Sequence, residues 1–84
     1  MNARHRRTLR AIFSRPTSGS VKFSDIEALI LALGGKVREG AGSRVAMQIN
    51  DSVKHAHRPH PGKEAKKYQI EQIRAWLSEQ GIQP

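Results

Sequence analysis

Apolar residues return along this chain at two different intervals, and the change of interval marks where helix gives way to strand. Over Arg4 to Phe13, Leu9, Ile12 and Phe13 fall at i, i+3 and i+4, while Arg4, Arg6, Arg7 and Arg10 occupy other positions. This predicts a short amphipathic helix with a basic side. Ile26, Leu29, Ile30 and Leu33 repeat at i, i+3, i+4 and i+7, which predicts a second helix. Ser24-Asp25-Ile26-Glu27 has the capping-box form that would start it, and Gly34-Gly35 supplies the left-handed stop. From Lys36 the interval shortens to two. Lys36 to Glu39 and Arg44 to Ile49 flank the loop Gly40-Ala41-Gly42-Ser43, as in a hairpin. Val45, Met47 and Ile49 share one face of the second strand, which sends Arg44, Ala46 and Gln48 to the other. After a turn at Asn50-Asp51-Ser52, Val53 to Arg58 reads as a third strand, ended by Pro59 and Pro61. A last helix, from about Tyr68 to Gln80, carries Ile70, Ile73 and Leu77 on one face with Trp76 beside them, and Gly81 ends it.

The last five elements make an α+β unit of the order α-β-β-β-α, with both helices on one face of a three-stranded antiparallel sheet. The other sheet face is left to water or to a ligand. The Pro/Gly/Ser stretch Arg15 to Val21 reads as a flexible connection. Residues 1–21 are therefore expected to form an N-terminal basic helix and linker, and residues 22–84 the domain proper.

Composition narrows the function. A chain of 84 residues holds one modest core, so a surface that recognises an extended polymer costs the fold less than a deep pocket. Fifteen Lys and Arg against seven Asp and Glu leave a net charge of +8, which draws polyanions, nucleic acid first. The absence of cysteine excludes disulfides, thiolate nucleophiles and thiolate zinc sites. No apolar run reaches the length of a membrane span, and no hydrophobic stretch follows the Arg-rich start as in a signal peptide. The expectation is a cytoplasmic protein.

His55, His57 and His60 lie close together in the run H-A-H-R-P-H, and the first two share a strand face. A metal site is one reading, but no carboxylate or thiol completes a ligand set, so no metal and no other cofactor is expected. The other reading is phosphodiester chemistry, in which an imidazole takes a proton from a 2′-hydroxyl or gives one to the leaving oxygen, and which requires RNA. Arg44, Arg58, Lys63, Lys66 and Lys67 would position the phosphate and stabilise developing charge. Gly40, Gly42 and Ser43 would offer backbone amides, although such a loop more often serves only as a turn.

These features, taken in order, resemble the HicA family of bacterial toxins, small mRNA interferases with a double-stranded-RNA-binding-like fold. The resemblance runs from about Ser24 to Ile82. It rests on the helix ending in Leu33-Gly34-Gly35, the turn Gly42-Ser43-Arg44, the segment from His57 to Glu64 with its Pro/His and Gly-Lys-Glu pieces, and the closing helix. It implies a metal-independent endoribonuclease that cleaves mRNA and slows translation, held inactive by a HicB antitoxin encoded beside it. The chain departs from the family in one position. The family's catalytic His follows the Gly-Ser of the turn, where this chain has Arg44, and a guanidinium is no ordinary general base. Either Arg44 stabilises charge while His60 or His57 handles the proton, or RNA binding persists without catalysis, or Arg44 is an inactivating substitution introduced because the active toxin kills its host. His60, which matches the family's Pro/His segment, is the first choice for the functional imidazole and His57 the second. Gly42, Ser43, Arg58, Lys63, Lys66 and Lys67 complete the expected RNA contacts. The basic first helix lies outside the family core, as an RNA arm, an antitoxin contact or a prop for the core.

Overall fold

The computed structural model describes all 84 residues, Met1–Pro84. Helices α1 (Ala3–Phe13) and α2 (Phe23–Ala32) precede strands β1 (Lys36–Glu39), β2 (Arg44–Ile49) and β3 (Ser52–His57), and helix α3 (Lys67–Glu79) follows. The strands form one antiparallel sheet in the order β1-β2-β3. The α-β-β-β-α order, the open three-stranded sheet and the additional first helix are as the sequence predicts.

The core lies between the sheet and the helices. Val45, Met47 and Ile49 of β2 meet Ile26, Leu29 and Ile30 of α2 and Ile70, Ile73 and Leu77 of α3. Burial of such side chains, at about 1.5–3 kcal/mol each, is what holds a small domain together. The Trp76 indole donates from Nε1 to the Ser52 Oγ at 2.7 Å, so α3 is pinned to the start of β3 by a polar bond as well as by packing.

α2 ends in a Schellman closure: the Gly34 amide bonds the Leu31 carbonyl and the Gly35 amide the Ile30 carbonyl, with Gly34 at φ +84°. Gly35 then passes so close to β2 that a Cβ there would collide with the Gln48 carbonyl oxygen. Backbone cannot give way as a side chain can. Gly35→Ala is therefore expected to lower stability by about 2–4 kcal/mol in urea unfolding, with an unchanged m-value.

Two expectations are corrected. The Ser24–Glu27 capping box does not form: α2 starts at Phe23, with Lys22 at the N-cap and no side-chain cap bond. The Phe23 ring is buried and its amide donates to the Lys63 carbonyl, which fixes the helix start by a tertiary contact, while the Glu27 carboxylate turns to Arg58. The connection after α1 is likewise tied down. Arg74, only 8% exposed, donates from Nε to the Ile12 carbonyl and from Nη2 to the Ser14 carbonyl and the Thr17 hydroxyl. Leu9, Ile12 and Val21 belong to the common core, so α1 props the fold.

Candidate nucleic-acid interface

The strand register decides what the uncovered sheet face presents. Arg44 pairs with His57, Ala46 with His55 and with Arg38, and Gln48 with Val53 and with Lys36. These positions alternate with the core-facing ones, so three cations, Lys36, Arg38 and Arg44, share the face with two imidazoles, His55 and His57. All five side chains are exposed. The Arg58 amide bonds the Ser43 carbonyl at 2.8 Å, which makes Ser43 and Arg58 a hydrogen-bonded pair. Arg44 and His57 are then the adjacent non-hydrogen-bonded pair, the kind whose Cα atoms approach to about 4.5 Å and whose side chains lie closest.

The turn shapes one end of this face. Gly40 donates to the Arg44 carbonyl and Arg44 to that of Ala41, with Gly42 at φ +62°, where a side chain would be strained. The amides of Gly42 and Ser43 bond nothing within the chain. The Ser43 hydroxyl lies 3.4 Å from His57 Nδ1, a long contact that leaves the Nε2 edge of the ring open. Small residues, Gly40, Ala41 and Ala46, leave a shallow concavity of about 340 Å³ walled by Arg38, Arg44, His55 and His57. It suits a phosphate and its sugar better than a buried cofactor.

The other expected site residues lie apart from this concavity. His60 is exposed in the loop after β3, makes no side-chain hydrogen bond and does not line it. Lys63, Lys66 and Lys67 lead into α3. Lys63 borders a second hollow with Phe23, Glu27 and Arg58, and the Lys66 amide is capped by Gln69 Oε1. Arg58 directs three donor bonds to carboxylates, from Nε and Nη2 to Glu27 at 3.1 and 2.8 Å and from Nη1 to Glu39 at 2.6 Å. The hydrogen bonds it donates to Glu27, and then to Glu39, raise its pKa above the ordinary guanidinium value. Arg58 thus clamps the end of β3 to α2 and β1. Gln69, 5% exposed, donates from Nε2 to the His57 carbonyl and steadies the same strand end. No three His, Asp or Glu side chains converge as metal ligands.

Lys36 and Arg38 were not among the residues expected to bind. The alternation Lys36-Val37-Arg38, with Val37 half-buried, was the signal that places both on the open face.

A family model described as the HicA toxin of bacterial toxin-antitoxin systems matches residues 23–82. The chain belongs to the HicA toxin family. The match covers α2 through α3 and the whole open face, and leaves α1 outside. This HicA chain is accordingly a toxin domain of a toxin-antitoxin system, whose counterpart is an antitoxin. No curated protein and no solved structure matches it significantly. None of its helices is long and apolar enough to cross a membrane.

Proposed function

We propose that this HicA toxin is a metal-independent endoribonuclease that takes mRNA across the open sheet face, cuts it there and is neutralised by a HicB-type antitoxin. The observation that carries the proposal is the direct cross-strand pairing of Arg44 with His57 beside Arg38, His55 and the free turn amides. Geometry favours His57 over His60 as the working imidazole, because only His57 neighbours the position where the family keeps its histidine.

The chemistry balances within the RNA. His57 accepts the proton of the 2′-hydroxyl, the 2′-oxygen bonds to the neighbouring phosphorus, and the bond to the 5′-oxygen breaks. His55, two residues along the same face and about 7 Å away, returns a proton to that leaving oxygen. The products are a 2′,3′-cyclic phosphate and a 5′-hydroxyl. Arg44 and the amides of Gly42 and Ser43 hold the non-bridging oxygens and offset the charge that grows on them. Lys36 and Arg38 extend the phosphate track across β1.

The test uses end-labelled RNA in excess EDTA, beside DNA of the same sequence and a DNA strand holding one ribonucleotide. RNA is expected to be cut, DNA to stay whole, and the mixed strand to break only after the ribonucleotide, leaving a cyclic phosphate. Cleavage of all-DNA, or cleavage lost in EDTA, would contradict the proposal. A second reading is favoured by Arg44 itself, since a guanidinium replaces the family's imidazole: an RNA-binding protein without catalysis. Tight binding with no product, and cleavage gained in Arg44→His, would establish that reading.

A further inference from the structure

Helix α1 lies outside the family-matched residues and carries Arg4, Arg6, Arg7 and Arg10 without one acidic residue. It packs on α2 and α3 and touches no strand, so its cations belong to a different surface from the open sheet face. Thr8, Leu9 and Ile12 are its buried positions. At about 100° per residue, Arg6, Arg7 and Arg10 fall within an arc of about 100° opposite that buried side. All three are exposed and none has an ion-pair partner, whereas Arg4 is held by Asp25 at 2.6 Å.

Only Arg10, in the last turn of α1, is favoured by the helix dipole; Arg6 and Arg7 gain nothing from the fold. Arg6 and Arg10 stand at i and i+4 and Arg7 and Arg10 at i and i+3, spacings at which like charges repel. Arg4 and Arg6 lie near the helix N-terminus, where the backbone dipole disfavours cations. Only the Asn2 side chain, accepting from the His5 amide at 3.0 Å, caps that end. A helix needed merely as a prop would be more stable with acidic or neutral residues at positions 6 and 7.

We infer that Arg6, Arg7 and Arg10 form a second RNA-binding surface, which holds the phosphodiester backbone of the RNA independently of the site on the sheet. Phosphate contacts of this kind bring affinity and carry no sequence information. The surface would concentrate the toxin on long RNA while the open face engages the few nucleotides to be cut.

The test measures binding of the full chain to 2′-O-methyl RNA of about twenty nucleotides, a probe without the reacting hydroxyl, so the result does not depend on cleavage. Affinity is followed from about 50 to 200 mM salt for the unaltered protein, for Arg6→Gln/Arg7→Gln/Arg10→Gln and for Arg6→Lys/Arg7→Lys/Arg10→Lys. Loss of three phosphate contacts is expected to flatten the slope of log affinity against log salt by about 2 and to weaken binding about 10- to 100-fold at 100 mM. The lysine variant should keep the slope. The glutamine variant should melt no lower than the unaltered protein, because repulsion has been removed, so a folding defect is not available as an explanation. On a trinucleotide too short to reach α1, its cleavage rate should be unchanged. A slope altered by less than about 1 would overturn the inference. So would an unchanged slope with weakened antitoxin binding, which would assign the surface to a protein. Failure of the cleavage chemistry would leave this result untouched.

Discussion

His57→Ala is expected to lower RNA cleavage by about 10²- to 10⁴-fold, the usual loss when a positioned general acid or base is removed. The fold should survive, because the His57 side chain is exposed and makes only the long contact to the Ser43 hydroxyl, while the Gln69 bond is to its backbone carbonyl. His60→Ala should change the rate by no more than about 3-fold, since His60 neither lines the concavity nor bonds to anything that does. Arg44→Ala should cost about 10²- to 10³-fold, on the scale of a lost oxyanion donor, with RNA affinity reduced as well. Single-turnover rates on one labelled RNA, beside unchanged melting temperatures, separate these outcomes. A His60→Ala loss as large as that of His57→Ala would move the chemistry off the strand pair and into the loop after β3.

The second large effect concerns stability. Arg74→Met removes the three hydrogen bonds that tie α3 to the end of α1 and to the connection after it, leaving the Ile12 and Ser14 carbonyls without their protein donor. An orphaned buried acceptor costs about 1–3 kcal/mol, so the expected loss is about 3 kcal/mol, or about 15 °C in Tm for a domain of this size. Amide exchange should rise first in α1 and in the connection from residue 15 to 21. Equal destabilisation throughout the chain, with no excess exchange in α1, would show that Leu9 and Ile12 alone hold the helix and that Arg74 is dispensable there.

Much of the fold was legible because the chain changes its hydrophobic interval cleanly. Periods near four placed α1 and α3 within a residue of their ends, and α2 less closely. Alternation through Val45, Met47 and Ile49 fixed which face of β2 turns inward. Once that face is known, the outward positions of Arg44 and His57 follow from geometry. What local pattern could not show was pairing across distance. Arg58 looks like one more phosphate-binding cation until Glu27, 31 residues away, and Glu39 are seen to occupy it. Arg74 reads as a solvated helix residue until the Ile12 carbonyl, 62 residues away, is found against it. The capping box failed for the same reason, since the Lys63 carbonyl sets the helix start and lies far from Ser24 in sequence.

The candidate site divides along the same line. Arg44 and His57 were singled out from the motif, and the strand register brings them together. Lys36, Arg38 and His55 join them because their strand positions share that face. His60 was chosen from the family's Pro/His segment and Lys63, Lys66 and Lys67 as nearby cations, and they lie beyond His57, where β3 ends and the chain leaves the sheet. Contiguity in a loop does not carry side chains onto a strand face.

RNA bound on the open sheet face would be seen by titrating isotope-labelled protein with 2′-O-methyl RNA and following its backbone NMR spectrum. Shifts are expected at Lys36, Arg38, Gly42, Ser43, Arg44, His55 and His57, together with the second set along α1 that its arginine surface predicts. Shifts confined to the helices and to residues 60–67, with those seven amides silent, would contradict binding on the sheet face.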